Sequence, residues 1–345
     1  MVQIEVWIYP ACMASAVCSL IEVLRVANLL AQTDIKIAGN VFNWSIRSYQ
    51  GLNVMSAAGL NLAADAAISA SSSPDVIVLP GVFLERGVKG WLAQLRSQPE
   101  FLAILRQQHQ RGCLLASNCS ASFILAEAGL LDGQSATTSW WLERSFRARY
   151  PAVDLQIDQI LCQAPGIITG AAASAHLDLT LNLLRRYATP ELAAKVAGKL
   201  LIESHSHSQT PHREPASDAE QHSSSLIRRA HQWILSNYQQ SLRLSDLAEH
   251  LAVSQRTLIR HFQLHLQTTP AHYAQQVKMQ MARQLLSHST LSVEQLAQRL
   301  GYADSNAFRR AFRRVCGLTT GQYRQQFGSA KLSEASSAVS AAGIN

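Results

Sequence analysis

Cys119 sits in the run Ala-Ser-Asn-Cys-Ser-Ala-Ser at 116–122, after the apolar Cys113-Leu114-Leu115 and before the helix-like stretch Phe123 to Ala128. A thiol between a short strand and the first turn of a helix is one way in which hydrolases present a nucleophile. Its ordinary pKa of about 8.5 is lowered by helix N-terminal amides and by a nearby imidazole. The histidines ahead of position 204 are His109, at the end of a surface-like helix, and His176, in a helix-like run after Gly170. The six cysteines, at 12, 18, 113, 119, 162 and 316, form no C-x-x-C pair, which argues against a zinc ribbon or disulfide framework and for a reducing compartment. His205, His207 and His212 lack a carboxylate or cysteine placed to complete a metal site, so no metal is expected. Neither G-x-G-x-x-G nor a Walker A sequence occurs, so a nucleotide is not indicated, and no cofactor is expected.

A second kind of chemistry, recognition of base edges, is carried by an internal repeat. LSDLAEHLAVSQRTLIRHF (244–262) and VEQLAQRLGYADSNAFRRAF (293–312) share one layout. Leu247, Ala248 and Leu251 return as Leu296, Ala297 and Leu300 at an offset of 49, and Leu258, Phe262, Thr269 and Tyr273 as Phe308, Phe312, Thr319 and Tyr323 at an offset of 50. One extra turn residue accounts for the change. In each copy a short helix ends at a leucine, and Ser254 or Asp304 is placed to cap a second helix, which is the helix-turn-helix pattern. The i, i+4 pairs Leu258/Phe262 and Phe308/Phe312 must face the core. The opposite face then carries Arg256, Arg260 and Gln263 in the first copy and Asn306, Arg310 and Arg313 in the second, and Gln255, Ser305 and Arg309 are further candidate DNA-binding residues. Arginine bonds the O6 and N7 edge of guanine, and Asn or Gln the N6 and N7 edge of adenine. Arg309 and Arg314, on the flanks, suit phosphate.

The elements that position these residues are of two kinds. Before 204, strand-like segments (4–9, 43–47, 76–79, 112–116) alternate with helix-like ones (15–31, 90–110, 121–129, 140–149, 174–187), which predicts an α/β domain with a doubly wound, flavodoxin-like open sheet. In such sheets ligands bind beyond the carboxyl ends of the strands, where Pro80-Gly81 and Asn118-Cys119 fall. After 224 only helical periodicity remains, an all-α domain in which the helix 271–288, about 27 Å long, separates the two motifs. Successive major grooves on one face of DNA lie about 34 Å apart, so one chain can read two of them. The predicted organisation is 1–203 sensing domain, 204–224 flexible Ser/His/Pro-rich linker, 225–328 DNA-binding domain and 329–345 disordered tail.

Charge divides along the same boundary. Residues 1–203 hold 15 Lys+Arg against 15 Asp+Glu, whereas residues 204–345 hold 15 against 8 and so carry the entire net charge of +7. Within 225–330 the balance is 13 against 4, a local +9, which favours a polyanion through counterion release. The N-terminus lacks a basic n-region and carries Glu5 and Glu22, and no run approaches the roughly 18 uninterrupted apolar residues of a membrane span. Neither a leader nor a membrane is expected, and the cytoplasm is the expected location.

The region 244–327 resembles the AraC/XylS-type DNA-binding domain, through S-x-R-x-L-x-R-x-F at 254–262 and G-L-T-T-G-Q-Y-R at 317–324. Gln267 departs from it, standing where a glycine is usual. The resemblance implies base contacts at 256, 259 and 260 and at 305, 306, 309 and 310; Ile259 offers only a methyl contact to thymine. Residues 1–200 resemble the class I glutamine amidotransferase-like (PfpI-like) domain of GlxA-type transcription regulators, through VLPG (78–81), SNCSASFILAEAGLLDG (117–133) and ATTSW (136–140). This aligns Cys119 with the elbow nucleophile of the enzymes of that fold. Those enzymes place a histidine where Ser139 stands and a glutamate in the 11–16 loop, which here reads Ala-Cys-Met-Ala-Ser-Ala. Three roles for Cys119 stay open: an inert residue in a tight turn, a ligand-contacting thiol, and a catalyst with unexpected partners.

The expected function is a transcription activator, not an enzyme, that senses a small metabolite in a crevice near Pro80, Gly81, Asn118, Cys119 and Ser139. Its expected partners are double-stranded DNA, the effector, a second copy of the chain and RNA polymerase. The alternatives are a cysteine hydrolase or amidase with an appended DNA-binding domain, and a ligand-independent nucleoid-type binder.

Overall fold

The structure, a computed structural model, describes residues 1–32, 39–84, 87–202, 209, 224–240, 242–266 and 268–327. They fall into two compact units, Met1–Gln209 and Thr210–Asn345. Most of the expected linker, with His205, His207 and His212, and the whole 329–345 tail lie outside the described residues. Among those that are described, no group of three or more His, Cys, Asp or Glu is placed to hold a metal.

The first unit is built on strands β1 (Val2–Ile8), β2 (Phe42–Ser48), β3 (Ala66–Ala67), β4 (Val76–Leu79), β5 (Leu114–Asn118), β6 (Leu161–Ala164) and β7 (Ile167–Gly170), paired in the order β6-β7-β5-β4-β1-β2-β3. Every neighbouring pair is parallel except β6 with β7. The series β2-β1-β4-β5-β7 is the flavodoxin-like winding, and its order reverses between β1 and β4, which is where a crevice opens at the strands' carboxyl ends. Period-two alternation divides each strand between two cores. Trp7, Ile77, Leu79 and Leu115 face one side, with helices α2 (Gly87–Arg96), α3 (Pro99–Gln110), α4 (Ser122–Glu127) and α5 (Glu143–Arg149). Val6, Ile8, Val76, Val78 and Ala116 face the other, with α1 (Ala14–Gln32), α6 (Ala175–Tyr187) and α7 (Pro190–Lys199).

The segment expected to be one helix over 90–110 is two, α2 and α3, because Pro99 has no N–H and pushes Gln98 out of the helical region, to φ −121° and ψ 64°. By length and composition α1 could span a membrane. Instead Val17, Leu20, Leu24, Ala27 and Ala31, one helical stripe, are buried against the sheet, each leucine contributing about 1.5–3 kcal/mol by burial. Glu5, a buried acid on β1, is satisfied by Trp7 Nε1 at 2.8 Å and Arg47 Nε at 2.8 Å.

The second unit is wholly helical among its described residues: α8 (Ser225–Ser236), α9 (Leu244–His250), α10 (Gln255–Leu266), α11 (Pro270–His288), α12 (Val293–Arg299), α13 (Ser305–Cys316) and α14 (Thr320–Phe327). It has two small cores joined by α11. Tyr273 and Val277 close the first with Leu247, Leu251, Leu258 and Phe262. Met279, Ala282 and Leu286 close the second with Leu296, Leu300, Phe308 and Phe312. Each helix pair is therefore held by its own apolar back, and α11, 19 residues and about 28 Å long, spaces them.

Candidate nucleic-acid interface and thiol elbow

The two helix pairs repeat bond for bond. At the end of α9, Leu251 N–H donates to Leu247 O (3.1 Å) and Val253 N–H to Ala248 O (3.0 Å); at the end of α12, Leu300 N–H donates to Leu296 O (2.9 Å) and Tyr302 N–H to Ala297 O (2.9 Å). Both turns pass through a left-handed residue, Ala252 at φ 54° and Gly301 at φ 70°. The additional residue of the second copy lies between that position and the cap. Ser254 Oγ then accepts from Thr257 N–H (3.1 Å) and Asp304 Oδ1 from Ala307 N–H (2.7 Å), starting α10 and α13. Phe262 packs edge-on against Tyr273, and Phe312 against Tyr323, at 5.5 Å in both cases. Arg283 Nε on α11, donating to Cys316 Sγ at 3.2 Å, adds a polar tie to α13.

With these backs buried, Gln255, Arg256, Arg260 and Gln263 are exposed on α10, and Asn306, Arg309, Arg310, Arg313 and Arg314 on α13, while Ser305 is half-buried in the first turn. Ile259 is 37% exposed, so its side chain remains available for an apolar contact. Arg309 is not idle: its Nη2 lies 3.0 Å from Glu294 Oε1 of α12. Glu294's own backbone N–H, then Ser292 and Arg309, hold its carboxyl below the usual range. Both partners of this pair are exposed, so water and salt screen it and it adds little to stability.

In the first unit, Pro80, Gly81, Asn118, Cys119 and Ser139 come together as buried neighbours at the ends of β4 and β5. Cys119 has φ 56°, the strained elbow that separates a strand from the helix after it. The elbow is fastened on every side. Gly81 N–H donates to Asn118 Oδ1 (2.9 Å), Asn118 Nδ2 to Ala173 O (3.2 Å), Val82 N–H to Ser120 Oγ (2.8 Å) and Thr138 Oγ1 to Cys119 O (2.9 Å). The amides of Gly81 and Val82, which face the elbow, are thus already occupied by its own side chains. A Cβ on Gly81 would lie 3.0 Å from that of Cys119, so only glycine fits without a shift.

Cys119 Sγ lies 2.9 Å from Ser139 Oγ, and Ser139 Oγ lies 2.7 Å from Ala171 O. The carbonyl can only accept, so it takes the serine proton, and the neutral thiol donates to Ser139. Burial pushes the Cys119 thiol up, against opposing hydrogen bonds from Ser139 and Ser120. Ionisation would require Ser139 to turn its proton from Ala171 to sulfur. Met13, Ala16 and Ala173 close over the thiol. Neither histidine named from the sequence is its partner: His176 Nδ1 is 2.5 Å from Ala173 O, and His109 packs against Gly166.

Comparison with known proteins finds matches over both parts of the chain. The DJ-1/PfpI family model covers residues 14–186. The chain belongs to the DJ-1/PfpI family. A helix-turn-helix domain model matches residues 247–326, spanning both helix pairs. The chain is similar to the HTH-type transcriptional regulator GbdR of Pseudomonas aeruginosa, 26% identical over 89% of this chain and 80% of the relative. It is also similar to the HTH-type transcriptional regulator CdhR of the same species, 28% identical over 86% of this chain and 83% of that protein. Among solved structures, an AraC family transcriptional regulator from Pseudomonas putida is 22% identical, with a TM-score of 0.49, over 58% of this chain and all of that one.

Two residues of the DJ-1/PfpI unit had no sequence signal of a role. The Tyr9 hydroxyl donates to Pro80 O, tying the end of β1 to the elbow's support, and burial pushes its pKa well up. Gln209 falls in the stretch read as a flexible linker, yet it is 1% exposed. Its carboxamide donates to Thr138 O (2.9 Å) and to Ile157 O and accepts from Trp140 N–H (3.1 Å), while its own N–H donates to Asp158 O (2.9 Å). These four bonds account for its burial, and no composition rule encodes them.

Proposed function

We propose that the protein is a sequence-specific transcription activator that works in the cytoplasm as a dimer, binding duplex DNA through α10 and α13 and a small metabolite through its DJ-1/PfpI domain, without turning that metabolite over. The observation that carries this reading is the doubled helix pair, in which two capped helices with buried Leu or Phe backs leave Arg256, Arg260, Asn306, Arg310 and Arg313 exposed. The names of the relatives support it. Arg256, Arg260, Arg310 and Arg313 are assigned to guanine edges, Gln255, Gln263 and Asn306 to adenine, and Arg309 and Arg314 to phosphate, with Ser305 able to contact either. Contact with RNA polymerase would follow from binding beside a promoter.

The elbow cluster Pro80, Gly81, Asn118, Cys119 and Ser139 is the sensing end. Thr138 and Trp140, which flank Ser139, hold Gln209, the last residue of the first compact unit, so a shift at the elbow reaches the point where the tether departs. A ligand acts through this route only to the extent that it binds the two states unequally. Footprinting of the full chain on genomic fragments at physiological salt tests the reading. Protected sites with paired half-sites about one helical turn apart are expected, and equal protection of all sequences would refute it.

The positive φ at Cys119 is the one feature that favours a hydrolase. Against it stand a protonated thiol bonded to Ser139, the lack of an imidazole partner among the described residues, and the occupied Gly81 and Val82 amides. Amide or ester turnover by the wild type that is lost in Cys119→Ala would establish the enzyme instead.

A further inference from the structure

A cavity of about 470 Å³ opens near the elbow without including it. It lies beyond the carboxyl ends of β1 and β2 and is walled by Tyr9, Tyr49, Trp91 and Phe101, with Gln94 from the last turn of α2 and Gln98, the residue before α3, on its polar side. Its size is that of a small-molecule site, and the aromatic walls with a few polar groups have the usual composition of one. Tyr9 and Phe101 are fixed edge-on at 6.2 Å, so that wall is formed before any ligand arrives. Among the described residues the carboxamides of Gln94 and Gln98 have no side-chain hydrogen-bond partner, which leaves donors and acceptors for an incoming group.

The lining contains no Asp, Glu, Lys, Arg or His. Glu100 stands behind the wall and accepts from the Tyr49 hydroxyl at 2.8 Å. An anion would meet that carboxylate with no cation in the described lining to offset it. A cation would give up its hydration for aromatic faces alone, with no acid in the lining and Glu100 already engaged by Tyr49. The aromatic walls fit a flat ring, and the two glutamines fit an amide-like edge.

We propose that this cavity binds a small, flat, uncharged molecule bearing an amide-like group. As an effector site it rests on the regulator reading, and it places the ligand against Tyr9, in a lining that excludes the closed thiol. Tyr9 links the two, because it lines the cavity and its hydroxyl holds Pro80 O next to Gly81. A ligand that shifts Tyr9 therefore acts on the elbow without touching Cys119.

Ligand-observed NMR on the full chain tests this with benzamide, benzoate and benzamidine, probes of one shape and three charges. Benzamide should bind in the millimolar range, the others at least about tenfold more weakly. Gln98→Leu should weaken benzamide about three- to tenfold through one lost neutral hydrogen bond. Gln94→Trp, at an exposed position, should fill the mouth and abolish binding with the melting temperature unchanged. The proposal is overturned if benzoate or benzamidine binds as tightly as benzamide, if none of the three binds, or if benzamide binding survives Gln94→Trp. DNA affinity measured on the same samples keeps the two readings apart: a chain that binds its operator but no benzamide loses the cavity and retains the regulator.

Discussion

Arg256→Ala removes a guanidinium that is exposed on α10 and makes no hydrogen bond or ion pair among the described residues. Leu258 and Phe262, which hold that helix to its core, lie on the opposite face and are untouched. The fold should therefore be unchanged, and the whole effect should appear in DNA binding. A bidentate contact to guanine contributes about 1–3 kcal/mol, so affinity for the preferred site should fall about 5- to 150-fold while non-specific affinity hardly moves. The slope of log K against log salt should stay constant, because a base contact releases no counterion, whereas loss of a phosphate contact would flatten it by about 0.9. Asn306→Ala should act in the same range on the second helix. The two helices stand on separate cores along an α11 of about 28 Å, so the losses should add within about 0.5 kcal/mol on DNA with both half-sites. On DNA with the second half-site scrambled, Asn306→Ala should become silent. Fluorescence anisotropy with the four proteins on the two duplexes checks this. Equal losses on every sequence together with a flattened salt slope, or undiminished Asn306→Ala loss on scrambled DNA, would refute paired-groove reading.

Four further outcomes follow from particular contacts. Gly301→Ala should disrupt the second helix pair, because a Cβ there would lie 1.8 Å from Gln239 O at φ 70°; Ala252→Gly at the equivalent turn should instead stabilise by up to about 1 kcal/mol, read in thermal melts. Glu294→Gln should free Arg309 and remove a negative charge beside α13, tightening DNA binding a few-fold at low salt and less at high salt. Since burial raises the Cys119 pKa, the neutral thiol's contribution to stability should be complete below the ordinary thiol range and fall as pH rises above it; alkylation should reach exposed Cys18 well before Cys119 at neutral pH, which mass spectrometry would show. Gln209→Ala leaves Thr138 O, Ile157 O and Trp140 N–H short of a partner, so calorimetry should find about 1–3 kcal/mol lost from the first unit, with basal DNA affinity intact.

The DNA-binding half was legible almost residue for residue. Its signals are local: i, i+4 apolar pairs, a cap three residues before the amide it accepts from, and a repeat that displays the same layout twice. The expected helix at 271–288 matches α11 to within a residue, and the caps read at Ser254 and Asp304 precede α10 and α13. The sheet was legible only in part. β1, β2, β4 and β5 were anticipated within two residues, but β6, β7 and α7 were not, since short runs such as Ile167-Ile168 have no periodicity of their own.

The elbow divides along the same line. That Cys119 follows a strand and precedes a helix is written in adjacent residues, and so is the absence of a histidine at 139. That its partner is Ser139, that Tyr9 reaches Pro80, and that Gln209 leaves a polar tract to lie buried against Thr138 come from packing residues 20, 71 and 71 positions apart. A helix face and its cap are set by forces acting within one or two turns of chain, so they can be read in order. Which buried polar group meets which depends on the strand order and on what the cores leave unpaired, and the chain acquires both only by closing.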